Sequence, residues 1–311
     1  MTVEGIVLRC LRGSYAVHAG SHVLHCTLRG NLKKRFEYTT SQTYARRVTR
    51  VKSYPPRDVI TVGDRVRVLV GPRNTGVIEE VLPRRTRFSR TGFRGREDTV
   101  VCNIDQVAIV FACAEPNPDP WKLDRFLVAA SAEDLEPIIV ANKCDLAAPT
   151  AFDEFRAIGY RVHVTSAVTG VGVPELREML RNRISAFVGP SGVGKSTLLN
   201  AIEPALDLKT AAVGDVTHKG RHTTKTAQLI PLCTGGWVAD TPGLRQFELI
   251  DLSAEEIADC FPEFADFIGH CRFDDCRHVN EPGCAIKQAV EDGRISPRRY
   301  ESYVAMVADL P

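Results

Sequence analysis

The sequence predicts a multidomain chain: a small closed β-barrel, a doubly wound α/β domain, and a helical module around a Cys/His cluster. Three observations predict it. The first hundred residues set short β-branched stretches between glycine turns and hold the chain's excess positive charge. From about residue 100, apolar runs of buried-strand type alternate with stretches of helical spacing. After about 250 the chain turns acidic and helical and gathers three Cys and a His between 271 and 284. At 311 residues there is room for two or three domains.

Bulk properties narrow the class. The apolar fraction of 44% and charged fraction of 25% are those of an ordinary globular protein. No run of 18 apolar residues exists, so no membrane partner is expected. The opening "MTVEGIVLRCLRGSYAV" lacks the features of a secretory leader. A cytoplasmic chain is expected, its ten cysteines reduced thiols or metal ligands. The net charge of +2 hides an asymmetry. Residues 1–100 carry 20 Lys and Arg against 8 Asp and Glu, a net of +12; the remaining 211 carry 20 against 30, a net of −10. Such a division points to a polyanion bound at the basic end, with a merely solvated basic surface as the plain alternative.

The barrel, residues 1–85, is expected from "GIVLRCLRGSYAVHAG", "SHVLHCTLRG", "VGDRVRVLV" and "NTGVIEEVL", whose number and length suit an OB-fold. A long basic loop with aromatics, 33–56, interrupts them and suits phosphates and unstacked bases. A second basic stretch, 82–98, reads as the exit, with 86–99 as linker. In the next domain, 100–248, "VVCNIDQVAIVFAC", "EPIIVANKCD", "RVHVTSA", "ISAFVGP" and "GWVADTPG" read as strands. "WKLDRFLVAASAED", "VPELREMLR" and "GKSTLLNAI" read as helices. The last module, 249–311, reads as helices over "SAEEIADCFPEF", "CAIKQAVEDG" and "SPRRYESYVAMVADL", with Pro297 in a first turn.

The chemistry begins at "GPSGVGKST", a phosphate loop between a strand and a helix. Its residues are Gly189, Pro190, Ser191, Gly192, Val193, Gly194, Lys195, Ser196 and Thr197. Gly192 and Gly194 let consecutive N–H groups face the phosphates, and the helix start adds positive potential. Lys195 would span the β- and γ-phosphates, a catalytic role, and Ser196 would ligate Mg²⁺. "NKCD" identifies the base. Asp145 can accept from guanine N1–H and its exocyclic amine, where adenine would leave a carboxylate unpaired. Asn142 can bond the other edge, and Lys143 can lay its stem over the ring. "TSA" at 165–167 supplies Ser166 and Ala167 beside the guanine carbonyl. In "DTPG", Asp240 would hold Mg²⁺ through water and the Gly243 N–H would sense the γ-phosphate. Within "GRHTTKT", Thr223 or Thr224 would complete the Mg²⁺ shell, and spacing does not choose between them.

These strings run base, base, phosphate, switch, switch. An ordinary GTPase starts at the phosphate loop. Joining the old ends and cutting elsewhere yields this order without moving a strand, so the domain reads as a circularly permuted P-loop GTPase. Its C-terminal neighbour holds Cys271, Cys276, His278 and Cys284 in the spacing C-x4-C-x-H-x5-C. Three thiolates and an imidazole form a closed tetrahedral shell for one structural Zn²⁺, with free thiols as the alternative that spacing leaves open. His270 and Cys260 are neighbours left out of the set.

Barrel, "NKCD", "TSA", "GPSGVGKST", "GRHTT", "DTPG" and Cys/His module, in this order, resemble the bacterial ribosome small-subunit-dependent GTPase A family over nearly the whole chain. The resemblance implies zinc at the four C-terminal positions. It implies a cytoplasmic GTPase, binding GTP and GDP with Mg²⁺, that binds the 30S subunit with its 16S rRNA, is stimulated by it and acts late in its maturation. A monomer is expected. Lys33, Lys34, Arg35, Arg46, Arg47, Arg84, Arg85, Arg87 and Arg90 are the expected rRNA contacts.

Leu244 stands where many GTPases carry the glutamine that orients water, and Arg245 and Gln246 come one and two positions late. His222, inside "GRHTT", is therefore the candidate for orienting or deprotonating water; in the resembled family this histidine is a suspected catalytic residue. A solvent-exposed bystander is its alternative. The connector after "DTPG" leads straight into the Cys/His module, so GTP is expected to reposition that module. The competing reading for the chain is a GTP-gated RNA-binding switch with negligible turnover. A P-loop ATPase or small-molecule kinase is disfavoured by Asp145.

Overall fold

The computed structural model describes residues 1–11, 13–38, 48–53, 60–91, 97–206, 227–240 and 252–310. It divides into two compact units, each described by itself. One comprises Met1–Asp105, Asn182–Ala186 and His218–Gly243; the other comprises Gln106–Arg181, Phe187–Thr217 and Leu244–Pro311.

In the first unit the opening strands are β1 (Thr2–Leu11), β2 (Ser14–Ala19) and β3 (His22–Leu28). Then come β4 (Lys34–Tyr38), β5 (Val48–Ser53), β6 (Arg65–Val70) and β7 (Thr75–Val81). The barrel runs β1-β2-β3-β7-β6 and closes through β6 on β1. The β3–β7 pair is parallel and the others antiparallel, the connectivity of an OB-fold. Period-two alternation places Val7, Tyr15, Val17, Leu24, Cys26, Val66, Val68 and Ile78 inside, all buried.

Two stretches differ from the sequence expectation. The basic insertion is not wholly loop: β4 and β5 pair antiparallel, Lys34 opposite Ser53 and Arg35 opposite Lys52. Aromatic and β-branched residues in "KRFEY" and "VTRVKS" suit such a ribbon, and the sign of their charges masked the pattern. The exit stretch also contains a strand, β8 (Arg87–Thr91), paired with β9 (Glu97–Cys102). The apolar run read as one strand from Val100 is thereby split. Asn103 breaks it at φ 55°, its amide donating to the Gly63 carbonyl at 2.9 Å.

The barrel's exit is pinned by a buried carboxylate. Asp64, fully buried, accepts from Arg84 Nε and Nη2 at 2.7 and 2.8 Å, from the Thr61 N–H at 2.7 Å and from the Cys102 thiol at 3.0 Å. Arg84's guanidinium is thus committed inside the protein, which corrects its place among the phosphate-facing cations. The same unit holds β14 (Gln228–Pro231) and β15 (Trp237–Asp240), antiparallel to each other. The first residues of β13 (Ile184–Val188) pair parallel with β15, and Arg9 of β1 sits opposite Gln228 of β14.

The second unit is α/β. Strands β10 (Gln106–Ala112), β11 (Glu136–Asn142) and β12 (Val162–Val164) are parallel and apolar in sequence. Helices α1 (Pro120–Ala132), α3 (Val173–Met179) and α4 (Lys195–Ile202) follow the strands as expected, and α2 (Asp153–Ile158) adds a short helix in a stretch the sequence reading left unassigned. The C-terminal module adds α5 (Ala254–Asp259), α6 (Ala285–Glu291) and α7 (Pro297–Ala308). A reciprocal Ser253–Glu256 capping box starts α5, and Pro297 occupies the first turn of α7.

That module is fastened to the helices around it by buried charge. Arg299 of α7, fully buried, donates to Asp124 of α1 at 2.6 Å and to both Glu263 oxygens at 2.6 and 3.0 Å. Its guanidinium lies over the Phe261 ring, 4.4 Å from the centroid. Arg298 donates to Asp124 at 2.6 Å and to Glu154 of α2 at 2.6 Å, and Ser296 Oγ to Glu154 at 2.5 Å. Burial pulls the Arg299 pKa down, but the Glu263 bonds and the Asp124 charge more than reverse it, so the cation persists. Truncating Arg299 would leave the buried Asp124 carboxylate undercompensated. Arg299→Ala is expected to cost about 3–5 kcal/mol in urea unfolding. Adding Asp124→Asn should return part of that loss, because the stranded charge is then gone.

Candidate nucleotide site and Cys3His centre

The phosphate loop starts where buried β13 ends. Gly189 sits at φ 135°, and a Cβ there would lie 2.1 Å from the Val110 carbonyl oxygen, so only glycine fits. The chain then turns through Pro190 and the exposed Ser191 and Gly192 to buried Val193, and α4 opens at Lys195. The Lys195 ammonium donates to the Gly189 and Pro190 carbonyls at 2.8 and 2.6 Å. It thus reaches back over the loop it would share with phosphates. Ser196 and Thr197 stand in the first turn of α4, half-buried.

The base strings meet this loop through one side chain. Asn142, at the end of β11 and 1% exposed, donates from Nδ2 to the Val193 carbonyl at 2.9 Å. Its Oδ1 accepts from Thr165 Oγ1 at 3.1 Å and from the Ala167 N–H at 3.3 Å. The sequence reading had this amide facing the base. The structure uses it to knit "NKCD", "TSA" and the phosphate loop together. Gly194 is part of the fit: a Cβ at its φ of 92° would meet Asn142 Nδ2 at 2.6 Å.

Lys143 adopts φ 61°, and its ammonium donates to the Glu115 carbonyl, in the segment after β10. Asp145, three residues beyond Asn142, is exposed. Ser166 is fully buried; its hydroxyl accepts from the Thr169 N–H at 3.1 Å and its N–H donates to the Val171 carbonyl at 2.9 Å. Thr165 opens the "TSA" string but was given no role of its own there; its hydroxyl is a donor to Asn142. Sequence reasoning missed Glu115, a backbone acceptor that no residue-type signal could mark. His222, Thr223, Thr224, Gly243, Leu244, Arg46 and Arg47 lie outside the described residues. Asp240 ends β15; Lys33 closes a short 3₁₀ turn, Lys34 and Arg35 start β4, and Arg87 and Arg90 lie on β8. Arg85 is well exposed and pairs with Asp105 at 2.6 Å.

In the C-terminal module, one ligand atom each from Cys271, Cys276, His278 and Cys284 lies within 4.8 Å of the others. His278 Nδ1 is 3.4 Å from the sulfurs of Cys271 and Cys284, which are 3.9 Å apart. Edges of about 3.5–3.8 Å are what a tetrahedron with metal–sulfur and metal–nitrogen bonds of about 2.3 and 2.0 Å requires. The four residues therefore form a centre able to hold one metal ion. Burial pushes the Cys276 thiol up to about 12, so as a free thiol it would stay protonated. Buried Cys260 belongs to the apolar core of the module, and His270 is exposed. The Glu281 carboxylate accepts from the N–H groups of Arg277, Val279 and Asn280 at 3.3, 3.0 and 3.1 Å. Tyr300 and Tyr303 donate to the carbonyls of His278 and Arg277 at 2.9 and 2.6 Å. Among the described residues no cysteine is in a disulfide.

Asn142→Ala would remove three buried hydrogen bonds worth about 1 kcal/mol each. Nucleotide affinity, read by titration with a fluorescent GDP, is expected to fall about a hundredfold.

Comparison with known proteins agrees with this geometry. The family model for RsgA GTPase matches residues 81–250. The "Small ribosomal subunit biogenesis GTPase RsgA" of Gemmatimonas aurantiaca is 50% identical over 81% of this chain and 84% of its own. The protein of the same name from Moorella thermoacetica is 43% identical over 99% of this chain and 97% of its own. Among solved structures, YjeQ from Thermotoga maritima has a TM-score of 0.78 at 35% identity, covering 100% of this chain and 99% of that one. YloQ, described as a circularly permuted GTPase, has a TM-score of 0.74 at 30% identity, covering 99% of this chain and 95% of that one. With the motif order, the phosphate loop and the whole-length match in agreement, this chain belongs to the RsgA GTPase family.

Proposed function

We propose that this protein is a GTPase that binds the 30S ribosomal subunit, is stimulated by it and assists its late maturation. The observation that carries this reading is the Asn142 knot, which ties a phosphate loop to guanine strings in a chain whose relatives are named for small-subunit biogenesis.

Asp145 would give guanine its two acceptors. Lys143, anchored at Glu115, would present its stem to the ring. Gly189 to Thr197 would wrap the phosphates, and Lys195 would exchange its two carbonyl partners for phosphate oxygens as charge develops on the γ-phosphoryl group. Mg²⁺, when bound with GTP, would supply neutralisation of that charge. Ser196 is the proposed ligand in α4, and Asp240 and Thr223 or Thr224 are proposed from their strings. His222 is the proposed orienting group for water, because Leu244 cannot serve. The Cys3His centre is proposed to hold Zn²⁺, since three sulfurs and an imidazole in a closed tetrahedron match that ion's donor preference. The β4–β5 ribbon with Lys33, Lys34, Arg35, Arg46 and Arg47, together with Arg85, Arg87 and Arg90, is proposed to meet 16S rRNA phosphates. The protein is proposed to act as a cytoplasmic monomer.

The test is GTP hydrolysis by the purified protein alone, with 30S subunits and with 50S subunits. Stimulation by 30S alone is expected. Tight GTP binding without stimulation would favour the passive RNA-binding switch. Asp145→Asn should move preference from GTP to XTP, because an amide can accept from N1–H and donate to the xanthine 2-oxygen. Competition binding reads that exchange. Chelating the metal is expected to release about one zinc per chain and to lower the thermal midpoint.

A further inference from the structure

The barrel and the strand that ends at Asp240 belong to one hydrogen-bonded sheet within the first unit. Arg9 of β1 sits opposite Gln228 of β14, and Gln228 sits opposite Asp240 of β15. The three residues therefore share one row across three strands. At about 4.8 Å per strand, the Arg9 and Asp240 backbones are only about 10 Å apart. A second link runs beside the first. The ring of His18, on β2, meets Trp237 at the start of β15 edge-on, with centroids 4.8 Å apart and planes at 71°. His18 is in turn registered opposite Ile6 on β1. The strands β14 and β15 also lie between the two switch strings: "GRHTTKT" precedes β14 and "DTPG" begins at the last residue of β15.

We infer that the barrel controls the GTPase switch through this hairpin, with His18 and Trp237 as positioning residues for Asp240. The inference rests on the function proposed above and names the route of its stimulation. RNA held by the barrel fixes β1 and β2. Through the Arg9–Gln228 pairing and the His18–Trp237 contact, that fixes the hairpin whose end carries Asp240. The end of β15, from which the second switch string continues, is then held by the barrel. The coupling works in reverse by the same thermodynamic link: the nucleotide state alters the stability of β1. Neither aromatic ring touches the nucleotide in this scheme, so binding and basal turnover are spared.

The experiment uses the full chain. His18→Ala and His18→Phe are compared with wild type for hydrolysis with and without 30S subunits and for co-sedimentation with 30S. Expected for His18→Ala are unchanged basal turnover, unchanged co-sedimentation and a stimulated kcat lowered about tenfold, a typical coupling size. His18→Phe, which keeps an aromatic edge, should recover most of it. Full stimulation in His18→Ala would overturn the inference. So would a loss confined to the concentration of 30S required, which would make His18 an RNA contact instead. Amide exchange supplies the arm that needs no ribosome. Exchanging GDP for a non-hydrolysable GTP analogue should change protection of β1 amides several-fold in wild type and less in His18→Ala. No change at β1 would overturn the coupling even if 30S stimulates turnover. A change at β1 with no 30S stimulation would keep the coupling and sink the ribosomal reading.

Discussion

A single buried amide ties together the three strings of the candidate nucleotide site. Asn142 has one acceptor atom and two N–H donors, and three partners from two other loops converge on it. The consequence reaches along the chain in both directions. Gly194 must be glycine because the amide occupies the space a side chain would need. Val193 is buried because its carbonyl must face inward. Asp145, three residues on, is left exposed and free of this internal work. In a permuted chain such a knot has added value. The phosphate loop and the base strings are separated by about fifty residues running the opposite way from the usual order, and the same side-chain bonds restore their spatial relation.

The C-terminal module answers to a different constraint. Its helices are short and its core is small, so the metal centre and the Arg299 cluster carry much of the organisation. Two acidic residues from separate parts of the unit close on one fully buried guanidinium, and an aromatic ring covers it. Arg298 extends the grip to α2. A module held in this way does not swing freely at the end of a tether. The expectation that GTP repositions it as a body therefore has to overcome a buried ion network. The β14–β15 hairpin is joined to the barrel through the Arg9–Gln228 register and the His18–Trp237 ring contact, which makes it the conduit proposed above.

Much of this was legible in the sequence, for identifiable reasons. The phosphate loop, "NKCD" and "TSA" are short strings whose order along the chain is enough to read the permuted GTPase domain that the family model matches. The Cys3His set is legible because four soft donors have few other uses together. The barrel was legible from its period-two alternation, and the closing order of its strands was not, because pairing depends on register between distant segments. The β4–β5 ribbon was read as loop because charge obscured β propensity. Arg84 was read as an RNA contact because nothing local reveals that Asp64, twenty residues earlier, waits inside. The internal partners of Asn142 were not legible, because they lie in segments that sequence adjacency does not display.

The Glu281 carboxylate adds a consequence for the metal centre. Three backbone N–H groups between two of the ligands point at one side chain, and the two tyrosines of α7 hold the carbonyls around His278. The loop's path is therefore held by these bonds as well as by the four ligand side chains. Loss of the Glu281 carboxylate would therefore loosen the ligand loop, although that side chain is none of the four donors.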